Sequence, residues 1–180
     1  MKKKKKKKIS VIVSTFNQER FIGRCIRSLL HQTLPRSFYE IIVVNDCSTD
    51  RTRYAIDLFI DPFNSLVKLI NNNKNIGLPA SVNKALKISQ AEHVVRVDSD
   101  DFVNTNFLNF LLCYLEMNKE ADVVSCDYLL VDDNEKELRK CDSRKEPIAC
   151  GIMFQKKHLS KLGFYDETFL CIEEQELMIR

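Results

Sequence analysis

Asp98-Ser99-Asp100-Asp101 places three carboxylates within four residues. Like charges this close repel one another unless a cation or buried polar donors compensate them, so the cluster is a candidate cation site. Hard ions such as Mn²⁺ or Mg²⁺ favour carboxylate oxygens and commonly take one or two protein carboxylates together with substrate phosphates. The natural complement is a nucleotide diphosphate. The sequence has neither a Gly-x-x-x-x-Gly-Lys loop nor a Gly-x-Gly-x-x-Gly turn, so no glycine-rich cradle grips the phosphates and the metal would carry more of the neutralisation. Three other polar clusters stand out: Ser14-Thr15-Phe16-Asn17, Asn45-Asp46 and Asn71-Asn72-Asn73. Taken singly, each could simply make turns and caps.

What joins them is the element before each. Ile9 to Val13, Tyr39 to Val44, Leu66 to Ile70 and His93 to Val97 are largely apolar and rich in β-branched residues, the pattern of strands in a sheet covered on both faces. Between them the period changes. Phe21, Ile22, Cys25, Ile26, Leu29 and Leu30 form a helical stripe within Glu19 to Gln32. Asp50 to Ile60 predicts a second helix capped by Ser48 or Thr49, and Leu78 to Ser89 a third with Pro79 in its first turn. Phe107, Leu108, Leu111, Leu112 and Leu115 mark a fourth. Strands alternating with helices predict an α/β fold with a parallel sheet and crossover helices. Ligands of open α/β sheets bind beyond the carboxyl ends of the strands, so the four clusters are expected on one edge, as one site. Downstream, Ala121 to Val131 and Ile148 to Phe154 predict strands, and Asp132 to Glu146 a loop or polar hairpin. Lys156 to Leu162 predicts a short helix and Glu173 to Arg180 the start of a last one.

With 180 residues and a hydrophobic share of 44%, the chain fits one domain with a substantial core. Its net charge of +3 is misleading, because Lys2 to Lys8 is an unbroken lysine run. Subtracting those seven from the 28 basic side chains leaves 21 against 25 acidic ones, a balance of −4. An acidic body with a basic tip is a poor match to a nucleic-acid-binding face. Residues 1–8 are expected to be a disordered tail suited to weak contact with anionic lipid, where each Lys near the surface is worth about 1 kcal/mol. The seven cysteines are scattered with no Cys-x-x-Cys pair, which predicts buried free thiols in a reducing compartment. No apolar run approaches the roughly 18 to 20 residues that cross a bilayer. The expected location is the cytoplasm, at the inner face of the membrane if the lysine run touches lipid. His31, His93 and His158 have no ligand spacing, and Lys156, Lys157 and Lys161 predict a solvated helix face more than a phosphate clamp.

From Ile9 to Arg180 the sequence resembles the family 2 glycosyltransferases. The resemblance lies in five blocks in order: Ile9 to Asn17 followed by an amphipathic helix and Gln32-Thr33; Ile42 to Asp50; Asn75 to Asn83; Val97 to Asp101; and Gly163 to Glu167 leading into Glu173 to Arg180. It implies the GT-A nucleotide-sugar-binding fold over residues 9–180. By the same resemblance, Thr15 and Asp46 match residues used on the nucleotide base and ribose, with Asn17 in the same block. Asn75, Gly77 and Asn83 match a segment that shapes the base pocket. Asp98 and Asp100 match the Asp-x-Asp motif around Ser99: the first carboxylate near the nucleoside, the second on a metal bridging the diphosphate. Asp101 would help through water or hold the loop. The late family motif usually has an Asp as general base, and here Glu174 stands in its place, one methylene longer.

The resemblance thus implies a Mn²⁺- or Mg²⁺-dependent, inverting transfer of a sugar from a UDP-, GDP-, dTDP- or CDP-linked donor to a glycan or lipid-linked acceptor, in surface-glycan synthesis. Arg180 lies six residues beyond Glu174, so the wall of the acceptor site is expected to be short, completed by a partner subunit or missing from a fragment. The rival reading is a non-catalytic nucleotide-sugar-binding module. A nucleotidyltransferase would need a glycine-rich basic loop after the first strand, which Ser14 to Arg20 does not supply.

Overall fold

The computed structural model describes residues 7–63, 66–169 and 176–177. Its elements in chain order are β1 (Ile9–Thr15), α1 (Ile22–Leu30), β2 (Tyr39–Asn45), α2 (Thr52–Asp57), β3 (Val67–Asn71), α3 (Leu78–Ile88), β4 (His93–Arg96), α4 (Phe107–Met117), β5 (Val123–Val124), β6 (Tyr128–Val131), β7 (Glu137–Cys141), β8 (Met153–Gln155) and α5 (Lys156–Leu162). The main sheet has the order β3-β2-β1-β4-β8-β5. β1 pairs in parallel with both β2 and β4, and β2 with β3, while β8 runs antiparallel to β4 and β5.

The near-continuous apolar strands are covered on both faces, as their composition demands. Val11, Val13, Ile41 and Val43 face a layer built from α1, α2 and α4, with Ile26, Leu29, Ile56, Leu108 and Leu111 among its buried residues. Ile12, Ile42, Val44 and Val94 face the opposite layer, where Val82 and Leu86 of α3 and Leu159 of α5 pack. Period-2 alternation along each strand assigns these residues to their faces. Among the described residues, no helix is long and apolar enough to cross a membrane.

Several expectations change in detail. Ser48 and Thr49 do not cap α2; Asp50 Oδ1 accepts from Thr52 N at 2.9 Å, leaving those two residues to bind Asn17. Ala121 to Val131 is two strands in different sheets, because β6 leaves to form a hairpin with β7. Of the expected 148–154 strand only Met153 and Phe154 pair, extended by Gln155, and they do so at the antiparallel edge. The lysine run is engaged at its end: Lys7 Nζ donates to Arg36 O at 2.9 Å, and Lys8 Nζ pairs with Glu116 at 2.5 Å. Met1 to Lys6 lie outside the described residues. Lys156 is not a freely solvated helix residue either, since its ammonium donates to Ser89 O and partial burial pushes its pKa down. Cys25 and Cys141 are buried free thiols as expected, but Cys113 and Cys126 are exposed.

One buried charge anchors the sheet. Glu40 of β2 accepts from Ser10 Oγ at 2.6 Å, Lys68 Nζ at 2.6 Å and Gln90 N at 3.2 Å. Burial alone would raise its pKa, but these hydrogen bonds and the Lys68 charge outweigh it and hold the carboxyl below its ordinary value of 4.5. A depressed folded pKa stabilises the fold fully above pH 4.5, and that contribution is lost as the pH falls through the lower folded value. Glu40→Gln should cost about 2 kcal/mol at pH 7, limited because half-exposed Lys68 regains water, with the gap to wild type narrowing in acid. Denaturant melts at pH 7 and below pH 4 check this; equal losses at both would refute the charge argument.

Candidate active site

β1, β2 and β4 are adjacent, and Thr15, Asp46 and Asp98 stand at or just past their carboxyl ends. Strands about 4.8 Å apart place these three within a span of about 10 Å. The chain order steps outward from β1 to β2 and β3, then returns to β4 on the other side. The carboxyl edge between β1 and β4 is therefore the topological switch point, where open α/β sheets form their crevice.

The β1 end is built around Thr15, which is 2% exposed. Its carbonyl accepts from Asp46 N at 2.9 Å, yet its buried Oγ1 has no partner among the described residues. A buried hydroxyl left unpaired costs free energy that a ligand polar group can recover. Asn17, in a left-handed conformation with φ of 53°, accepts at Oδ1 from Thr49 N at 2.8 Å, and its own N donates to Ser48 Oγ at 3.0 Å. Asn17 thus ties the β1–α1 turn to the β2–α2 turn.

Asp46 is buried and fully occupied. Oδ1 accepts from Asn72 Nδ2 at 2.7 Å and Ile76 N at 3.0 Å, and Oδ2 from Gly77 N at 2.9 Å. It organises the loop from β3 to α3. Gly77, at φ 86°, makes the turn into α3 that a side chain would strain. Asn75 Oδ1 also accepts from Gly77 N at 3.2 Å. Asn83 is directed elsewhere: its amide donates to Tyr165 O at 2.9 Å and Glu167 Oε1 at 3.0 Å, and its oxygen accepts from Tyr165 N at 3.1 Å. It holds the 165–167 segment against α3.

The acidic loop after β4 is fastened from two sides. Arg96, 7% exposed, donates from Nε to Asp98 Oδ1 at 3.0 Å. From α1, Arg24 Nη2 donates to Asp100 O at 2.7 Å, Cys25 Sγ to Asp98 O at 3.5 Å, and Ser28 Oγ accepts from Val103 N at 3.1 Å. Gln32 continues this polar row, donating to Asn104 O at 2.9 Å and accepting from Leu108 N at 3.0 Å, which gives the Gln32-Thr33 block its structural purpose. Ser99 is buried and Asp100 exposed.

Ligand atoms of Asp98, Asp101 and Cys150 all lie within 4.8 Å of one another. Desolvation, then the charges of Asp98 and Asp100, raise the Asp101 pKa despite a hydrogen bond from the Cys150 thiol and the charge of Arg24. Cys150 is itself pushed well above its ordinary value by burial and by Asp101 and Asp98. The Cys150 thiol donates to Asp101 and fits as its brace, since a hard ion prefers carboxylate oxygens to a soft sulfur. The carboxylates fit a hard divalent ion. Exposed Asp100 is free to turn its oxygens into the crevice, while Asp98 keeps unused lone pairs beside its arginine.

The structure thus groups Thr15, Asn17, Asp46, Asn75 and Gly77 with Asp98, Ser99 and Asp100 along one edge, and turns Asn83 away from it. Glu174 lies outside the described residues. Arg24 was not singled out from sequence; the available signal was a cation in the first turn of a helix, where the dipole disfavours one. A cavity of about 730 Å³ lies away from the crevice, at the amino end of β4, lined by His93, Lys119 and Lys156 among others.

Residues 10–172 match the model of glycosyl transferase family 2. Over 110 residues the chain is 37% identical to the poly(ribitol-phosphate) beta-N-acetylglucosaminyltransferase TarS of Staphylococcus aureus, covering 61% of this chain but 19% of that protein. The structure of S. aureus TarS 1–349 in complex with UDP superposes with a TM-score of 0.78 at 24% identity, over 93% of this chain and 53% of that one. The mannosyltransferase PcManGT of Pyrobaculum calidifontis, in complex with GDP-Man and Mn²⁺, gives a TM-score of 0.74 at 22% identity, over 90% of this chain and 48% of that one. The chain therefore spans about half of each solved structure and a smaller share of its curated relative. Its sheet, crevice and motif order are those of the GT-A fold, and the chain belongs to glycosyl transferase family 2.

Proposed function

We propose that the chain transfers a sugar from a nucleotide diphosphate sugar to an acceptor hydroxyl, with inversion and with a divalent ion at the donor diphosphate. The observation that carries this reading is the convergence of Thr15, Asp46 and the Asp98 loop on the switch-point edge. The Thr15 hydroxyl, unpartnered among the described residues, and the Asp46-braced loop suit a nucleoside. Asp98 and Asp100 would hold Mn²⁺ or Mg²⁺, which when bound neutralises charge on the departing diphosphate. Family membership and the neighbours' UDP and GDP-Man complexes support a nucleotide-sugar donor and leave UDP-, GDP-, dTDP- and CDP-linked donors to be tested.

Glu174 is the general base of this reading. Its carboxylate takes the proton of the acceptor hydroxyl as that oxygen bonds to the anomeric carbon, on the face opposite the breaking bond to the diphosphate. A glycan or lipid-linked polyol is the acceptor class, the relative's poly(ribitol-phosphate) being one example.

A panel of nucleotide sugars incubated with the chain and Mn²⁺, read by mass spectrometry, tests the proposal. Release or transfer of sugar from one donor class, lost in Glu174→Gln, is expected. Unimpaired turnover by Glu174→Gln would remove the base assignment, and turnover of no donor would remove the transferase reading.

A further inference from the structure

Arg24 is the least satisfied cation of the crevice. Its Nη2 is fixed on Asp100 O at 2.7 Å, but among the described residues Nη1 reaches only Glu135 Oε1, at 3.4 Å. Its Nε is shielded from solvent and has no acceptor among the described residues. The guanidinium lies over the Phe102 ring at 4.6 Å from the centroid and over Phe21 at 5.5 Å, so the two rings set its plane. Glu135 comes from the turn between β6 and β7, where its own backbone is left-handed at φ 65°. Its side chain is 53% exposed, and a long exposed ion pair of this kind contributes little.

An arginine oriented by two rings, anchored to the backbone of the metal loop and short of acceptors is prepared for an anion that arrives there. Its planar fork matches phosphate oxygens better than any other side chain. The other arginine of the loop, Arg96, is engaged with Asp98, and the lysines Lys156 and Lys157 line the cavity at the opposite, amino end of β4. A position in the first turn of α1 is unfavourable for a cation unless negative charge faces it, and the acidic loop with an incoming diphosphate supplies that charge.

We propose that Arg24 is the protein's own phosphate-binding cation in the donor site: it grips the nucleoside diphosphate, and Glu135 occupies it until the donor enters. This rests on the reading of the crevice as a donor site. The glycine-rich phosphate cradle that the sequence lacks is replaced by one side chain plus the ion. Binding of donor releases the Glu135 side chain to solvent, while the β6–β7 turn keeps its own hydrogen bonds on Asp132.

Calorimetry with UDP, UMP and uridine, and the matching guanine series, in Mn²⁺ tests this on the wild type, Arg24→Gln, Arg24→Lys and Glu135→Gln. Arg24→Gln is expected to weaken diphosphate binding about 30-fold while nucleoside binding changes less than about threefold, with Arg24→Lys between them. Glu135→Gln should tighten diphosphate binding about threefold, and have no effect when combined with Arg24→Gln. Thermal melts without nucleotide check that each variant is folded; Glu135→Gln, a surface change, keeps the test valid if an Arg24 variant is not. Diphosphate binding by Arg24→Gln within threefold of wild type overturns the proposal, as does an equal loss for nucleoside and diphosphate, the mark of a structural role. Absence of nucleotide binding in the wild type overturns the donor-site reading itself, and Arg24's role with it.

Discussion

Asp46→Ala is expected to lose nucleotide diphosphate binding by about 100-fold or more, and about 2 kcal/mol of stability, because one buried carboxylate holds a buried amide and two half-buried backbone donors. Ile76 N would lose its acceptor, while Asn72 Nδ2 and Gly77 N would keep only Ser81 Oγ at 3.0 Å and Asn75 Oδ1 at 3.2 Å. The loop from β3 to α3 then loses the carboxylate that fixes it, which loosens the wall of the crevice beside Thr15. Asp46→Asn is a sharper test. It keeps the size and one oxygen but presents an amide N–H₂ to donors, so it should recover only part of the loss. Calorimetry with UDP and GDP, with chemical denaturation of the same proteins, separates the two effects. Asn variants indistinguishable from wild type would show that the carboxylate is dispensable.

The second large effect is expected at the acidic loop. Asp100→Ala should abolish the Mn²⁺ dependence of nucleotide binding and cut sugar transfer about 100-fold or more, the scale of losing a preorganised charge contact to a leaving group. Asp98→Asn should do the same, and it also weakens the pairing of Asp98 with Arg96. Cys150→Ala is the internal control. If the thiol only braces Asp101, Mn²⁺ affinity stays within about threefold of wild type; a loss as large as that at Asp100 would instead make the Asp98, Asp101 and Cys150 trio the metal site.

The legibility of this fold in its sequence follows how much each residue's partner is local. β1, β2 and β4 are apolar β-branched runs, and α1 and α4 carry stripes at helical spacing, so burial on both faces of the sheet could be read from periodicity alone. The polar clusters at the strand ends followed from the same reading, because topology sends carboxyl ends to one edge. Partner identity was not legible. Ser48 and Thr49 have cap-like types, but Asp50 is better placed and Asn17, 32 residues from Thr49, claims them. Asp46 and Asn83 are both buried polar residues in family blocks, yet one braces the loop of residues 72–77 and the other the 165–167 segment, pairings set by tertiary contact over long sequence separations. The break within Ala121 to Val131 had no apolar signature, since Leu129 and Leu130 are exposed in a two-stranded hairpin. Arg24 was concealed for a related reason: beside a stripe of buried apolar residues it reads as a solvated helix position, and only the folded loop shows what it faces.

The proposed site seats a nucleoside diphosphate at the carboxyl ends of β1, β2 and β4 with a divalent ion. Titration calorimetry of the chain with UDP and with GDP, in Mn²⁺ and again in EDTA, tests it most directly. Saturable one-to-one binding of at least one of them is expected, weakened about tenfold or more by EDTA and removed in Asp46→Ala. No binding of either nucleotide with or without metal, or binding that Asp46→Ala leaves unchanged, would contradict it.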